Sequence, residues 1–261
     1  MDTPSLQDWF SRPLGEYIAA RERAWLDTVV PDIFGYHAIQ LGLPAMDLLH
    51  ESRIAHRVSV APDGNPTLKA HFAALPFEAQ SIDLCVMSHV LEFADNPHEI
   101  LREVDRVMRP EGRILIIGFN PWSLFGVKKL WASRDMPWSG QFVSLVRMKD
   151  WLQLLGFEPV SGKLACYIPP CETPQWQQRW QLAERLGERW LGVTGGVYMV
   201  EAIKRVQGMH LISPVWNKQA APERKFAAVR KAGAVSKGAV LEGAVSEGAA
   251  AVATSHLKII K

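Results

Sequence analysis

The chain has 261 residues, a net charge of +2 and 48% hydrophobic residues, enough apolar mass for one sizeable domain with appendages. The near-neutral balance excludes the strong field expected of a nucleic-acid binder. Met1-Asp2-Thr3-Pro4 lacks the basic start and apolar run of a signal peptide, and no apolar stretch is long enough to cross a bilayer, so the chain reads as soluble and cytoplasmic.

The start reads as helical. Leu6, Trp9 and Phe10 mark one turn, and Pro13-Leu14-Gly15 interrupts. Leu14, Tyr17, Ile18, Trp25 and Val29 then follow helical spacing, with Glu16, Arg21, Glu22 and Arg23 on the opposite face and Pro31 as the stop. His37 to Gly42 reads as a short strand closing on a glycine turn, and Met46 to Glu51 as a short helix. His56–Val60 and Thr67–Phe72 read as strands around the dense turn signal Pro62-Asp63-Gly64-Asn65-Pro66.

Ser81 to Met87 is a buried strand. Asn96 is placed to cap the next helix, with Pro97 at its first position and Glu99 at its third; Ile100, Leu101, Val104, Val107 and Met108 line one face. Arg109-Pro110-Glu111-Gly112 stops that helix, and Arg113 to Gly118 is a continuous apolar strand of the kind buried on both sides of a parallel sheet. Helices are predicted over Trp122–Ala132 and Met148–Leu155, a strand from Phe157 to Val160 that continues towards Ala165-Cys166-Tyr167, and a last strand over Val197–Lys204. This alternation predicts an α/β domain with a doubly wound, mostly parallel sheet.

Residues 1–215 form that domain in this reading, with 1–30 as an N-terminal helical cap. The repeat Gly-Ala-Val-Ser-Lys, Gly-Ala-Val-Leu-Glu, Gly-Ala-Val-Ser-Glu has too little bulky apolar surface to offset chain ordering, so 216–261 reads as a disordered tail. Trp176, Trp180, Ala183, Gly187 and Trp190 fall on one helical stripe over 173–191, read as core packing, with a lid, a partner surface or a membrane surface as the other uses. Cys85, Cys166 and Cys171 contain no C-x-x-C, and no His lies near the last two, so no metal site is expected; they read as three reduced thiols, with a Cys166–Cys171 pair as the other reading.

Ala74-Leu75-Pro76-Phe77-Glu78, the strand Ser81 to Met87, Ser88-His89-Val90-Leu91-Glu92-Phe93, the acidic-basic helix Leu101 to Met108 and Arg109-Pro110-Glu111-Gly112 followed by an apolar strand form one ordered pattern. It resembles the class I, Rossmann-like S-adenosylmethionine-dependent methyltransferases of the ubiquinone/menaquinone-biosynthesis type. Phe119-Asn120-Pro121-Trp122-Ser123 and Asp150-Trp151-Leu152-Gln153-Leu154-Leu155-Gly156-Phe157 resemble more narrowly a proteobacterial YafS-like branch. A nicotinamide oxidoreductase is disfavoured because no G-x-G-x-x-G follows any strand.

The resemblance implies S-adenosylmethionine at the carboxyl ends of the strands and a small-molecule methyl acceptor. It carries cofactor contacts onto Gln40, Gly42, His71, Phe72, Ser88 and His89. Several positions depart from the pattern: Gln40 stands for an acid, Pro44 and Met46 for glycines, and His71 for the adenine-binding Asp. The second strand ends in Ser59-Val60-Ala61 without an acid, and Asp63 just beyond it is the available substitute, against a purely structural turn role. Parallel strands ordinarily need a crossover of roughly a dozen residues. The short link from Val60 to Thr67 therefore predicts an antiparallel hairpin around Asp63-Gly64, altering the second and third strand region. His89 is the candidate catalytic base, with a packed, hydrogen-bonded histidine as the other reading. Asn120 either contacts substrate or caps the helix near Pro121. The departures keep a second function open: a methyltransferase-fold binding or interaction module that no longer takes the cofactor.

Overall fold

In chain order the sequence forms α1 (Leu6–Phe10), α2 (Pro13–Val29), β1 (His37–Leu41), β2 (His56–Ala61), β3 (Leu68–Lys69), β4 (Ile82–Ser88), α3 (Pro97–Val107), β5 (Met108–Phe119), α4 (Leu124–Trp131), α5 (Leu145–Leu154), β6 (Phe157–Ala165) and β7 (Val197–Lys204). This is a computed structural model that describes residues 6–132, 136–170 and 192–206. The expected tail at 216–261 and the Trp-rich stretch 173–191 lie outside the described residues, as does Cys171.

The seven strands form one sheet in the order β3-β2-β1-β4-β5-β7-β6. β1–β2, β2–β3, β1–β4 and β4–β5 are parallel, whereas β7 runs antiparallel to both β5 and β6. The strands alternate strictly in what they present to each face. Ala38, Leu84, Val86, Leu115 and Ile117 join Trp9, Leu14, Ile18 and Leu26 of the first two helices in one core. Ile39, Leu41, Cys85, Met87, Ile114 and Ile116 join Leu101 and Val104 of α3 and Met148 and Leu152 of α5 in the other. Both faces are covered, which is why β4 and β5 read as unbroken apolar runs. α1 meets α2 closely because residue 15 is glycine: a Cβ there would sit 2.3 Å from the Trp9 carbonyl oxygen.

Four expectations need correction. The β2–β3 hairpin does not form; the pair is parallel, with Val60 opposite Leu68 and Ala61 opposite Lys69. A pair only two residues long needs the chain to travel back just one step, so the short link suffices where a full strand would not allow it. β3 is accordingly Leu68–Lys69 rather than Thr67–Phe72. No helix follows β1: residues 44–51 form turns, and the link from Gly42 to Ala55 crosses over without one. Finally, Arg109–Gly112 does not precede β5 but lies within it, as a register break opposite Ile82 and Leu84, with Glu111 at φ +64°.

Candidate functional site

Because β1, β2 and β4 are parallel neighbours, they end on the same side of the sheet, at Leu41, Ala61 and Ser88. A cavity of about 440 Å³ opens there, walled by Leu6 and Gln7 of α1, the loops at Gly42–Pro44 and Pro62–Gly64, Phe72, and Ser88–Val90. Gly42 is the tightest point. Its φ is +82°, and a Cβ would lie 2.8 Å from Val90 Cγ2 and 2.9 Å from the Ser88 carbonyl oxygen. Its N–H donates to the Val60 carbonyl (3.2 Å), tying the end of β1 to β2.

Of the residues that the resemblance singled out, Gly42, Phe72, Ser88 and His89 line this cavity. Ser88 is buried, and its Oγ has no hydrogen-bond partner among the described residues. His71 is exposed and is not part of the lining. Asp63 is the one carboxylate among the described lining residues.

Gln40 is elsewhere engaged. It is 2% exposed, and its Nε2 faces the carbonyl oxygens of Gly42 (3.2 Å), Leu43 (3.1 Å) and Met46 (2.6 Å), while its Oε1 accepts from Leu48 N–H (3.0 Å). The side chain thus knits the loop after β1 together, satisfying backbone groups that a helix would have paired internally. An acid could not do this, since a carboxylate has no donor.

His89 sits at φ +52°, with its backbone N–H donating to Ile117 O (3.0 Å). Its ring is sealed from solvent. Nε2 meets Glu22 Oε1 at 2.8 Å and Nδ1 meets Glu92 Oε1 at 3.3 Å, with the Phe119 ring 4.2 Å away between centroids. Burial acts to lower the pKa, but the charges and hydrogen bonds of Glu22 and Glu92 outweigh it and push it up to about 10. At neutral pH the ring is therefore an imidazolium that donates from both nitrogens and has no lone pair to take a proton, which does not support the general-base role.

Sequence reading placed Glu22 on the solvated face of α2, whereas it is 1% exposed. The signal was available: Ile18, Glu22 and Leu26 are four apart and share one stripe. Glu92 was missed as a hub. Its Oε1 also accepts from Phe119 N–H (2.7 Å), and its charge, after burial, raises the Tyr198 pKa.

Asn120 neither caps nor lines the cavity. Its Nδ2 donates to the carbonyls of Val193 and Gly195 (both 2.9 Å) and its Oδ1 accepts from Trp122 N–H; Ser123 caps α4 instead. Asn96 occupies the cap position of α3 without a side-chain bond. Cys85 and Cys166 are buried, and burial pushes the Cys85 thiol far above its usual range. Among the described residues no cluster of three or more His, Cys, Asp or Glu is arranged to hold a metal, and no helix is long and apolar enough to cross a membrane.

A seven-stranded sheet in this order, reversed only at β7, with a ligand-sized cavity at the carboxyl ends of β1, β2 and β4, defines a Rossmann-like methyltransferase architecture. Residues 43–116 match the model of the methyltransferase domain family. The chain is 35% identical over 166 residues to the uncharacterized protein YafS of Escherichia coli, covering 62% of this chain and 69% of that one. It is 33% identical over 81 residues to the ubiquinone/menaquinone biosynthesis C-methyltransferase UbiE of Bartonella tribocorum, covering 30% of this chain and 31% of that one. A methyltransferase structure from Archaeoglobus fulgidus shares the fold at 18% identity with a TM-score of 0.53, over 72% of this chain and 94% of that one. The chain belongs to the class I S-adenosylmethionine-dependent methyltransferase family.

Proposed function

We propose that this chain transfers a methyl group from S-adenosylmethionine to a small-molecule acceptor in the cytoplasm. The observation that carries the reading is the meeting in one cavity of Gly42, with no room for a Cβ, and Ser88, whose buried Oγ has no partner among the described residues. A buried hydroxyl without a partner is costly, and a ligand that bonds it removes that cost. The volume of about 440 Å³ lies within the range of small-molecule sites.

The residues present fit the cofactor in part. Gly42 would let the backbone approach it, Ser88 would bond its polar end, Phe72 would cover the base and Asp63 would accept from the ribose hydroxyls. When bound, the cofactor supplies an electrophilic methyl group on a sulfonium. The chain's own work is then to align acceptor and methyl group and to exclude water, which accounts for most of the rate in such displacements. No base is assigned, because His89 is already protonated.

The test is thermal unfolding with S-adenosylmethionine or its demethylated product. At 100 times the dissociation constant a ligand adds about 2.7 kcal/mol, or roughly 5–10 °C for a domain of this size. Absence of a shift with either compound would overturn the reading. It would favour the cofactor-free binding module, which the complete engagement of Gln40 with its own loop also supports.

A further inference from the structure

A second, larger hollow of about 1020 Å³ lies beyond the end of β5. Trp122, Val127 and Leu130 of the α4 segment line it, together with Phe142 and Tyr167. Trp122 is 76% exposed and Leu130 is 77% exposed, a large apolar surface to leave to water. Lys129 is the one charged residue among the described lining residues.

A chain of contacts leads from Lys129 towards the smaller cavity. Its Nζ donates to the Gly140 carbonyl and lies 4.6 Å from the centre of the Phe142 ring. Gly140 presses on Phe93, where a Cβ would come within 2.6 Å of Phe93 Cε1, and Phe93 lines the cofactor cavity. Lys129, which lines the larger hollow, and Phe93, which lines the smaller cavity, thus both touch Gly140. Both described partners of the ammonium are neutral, and burial lowers its pKa. A half-buried cation without a countercharge among the described residues, in the lining of an apolar hollow, is complementary to a negative group attached to an apolar body.

We infer that the α4 hollow is the acceptor site, and that it takes an amphipathic organic anion whose apolar body lies on Trp122, Val127 and Leu130 and whose negative end meets Lys129. This rests on the methyl-transfer reading only in naming the occupant as acceptor; the binding itself does not depend on it. Concavity favours a single molecule over a bilayer, against which a flat surface would serve better.

The experiment is calorimetric titration of the full chain with decanoate, decan-1-ol and decyltrimethylammonium, each with and without saturating S-adenosylhomocysteine. Decanoate should bind about ten-fold more tightly than decanol, with the cation weakest and decanoate binding surviving the nucleoside. Lys129→Gln should abolish the difference between decanoate and decanol. Val127→Trp, at an exposed position, should weaken all binding while leaving the S-adenosylhomocysteine thermal shift unchanged. Equal affinity for the three probes, or no decanoate binding, overturns the inference. So does sedimentation with phosphatidylglycerol vesicles in the absence of decanoate binding. Decanoate binding without any nucleoside shift would sink the methyl-transfer reading but leave this site standing as an anion pocket.

Discussion

Glu22 Oε1 of the second helix lies 2.8 Å from Nε2 of His89 at the end of the fourth strand, both sealed from water, so one buried ion pair joins the N-terminal helices to the rim of the cavity at the ends of β1, β2 and β4. Breaking such a pair leaves an uncompensated charge in the interior, at a cost of about 3–5 kcal/mol. The apolar contacts of Leu14 and Ile18 bring α2 to the sheet, and the ion pair fixes its orientation there.

This cluster sets a pH dependence. The folded pKa of His89, about 10, lies above its ordinary 6.5. The folded state therefore binds the proton more tightly, and the stabilisation is fully present below 6.5 and lost as pH rises through about 10. Urea midpoints at about pH 6, 8 and 10 should fall in that order. His89→Asn, which tolerates the left-handed backbone, should be less stable and should lose most of that slope. An unchanged slope would place the titrating group elsewhere.

Gln40→Glu restores the acid expected from the family pattern, yet it should weaken the protein. The carboxylate would face three carbonyl oxygens that now receive an amide donor. A loss of about 1–3 kcal/mol is expected, read from chemical denaturation, with no gain in S-adenosylhomocysteine affinity.

Gly42→Ala should be damaging on two counts, its φ of +82° and the contacts with Val90 and Ser88. The expected loss is about 1–3 kcal/mol, together with weaker cofactor binding in the same titration.

Asp63 is exposed, so Asp63→Asn should leave the melting temperature of the free protein unchanged. Cofactor affinity should drop about ten-fold or more as a charged acceptor is replaced by a neutral one. Retained affinity would assign Asp63 to the turn alone.

The sheet was legible because its central strands have both faces covered: Leu84, Cys85, Val86 and Met87 are all buried, and so are Ile114 to Ile117. The polar site was less so. Of the residues the family pattern singled out, Gly42, Ser88 and Phe72 line the cavity and His71 does not. Residues 46–51 have the apolar spacing of a helix, yet Gln40 bonds the loop from outside it, a tertiary effect that local periodicity cannot carry. The β2–β3 pairing was missed because crossover length was judged for a full strand, whereas Leu68–Lys69 needs far less. Glu22 was assigned by charge although its spacing from Ile18 and Leu26 pointed inward.

β7 comes last among the described strands yet lies between β5 and β6. Until residues 197–204 have left the ribosome, β5 offers an open row of backbone donors and acceptors to any passing chain. A truncation ending before Val197 should consequently yield an aggregating product rather than a smaller working domain, and an expression trial of that fragment belongs with the insoluble fraction.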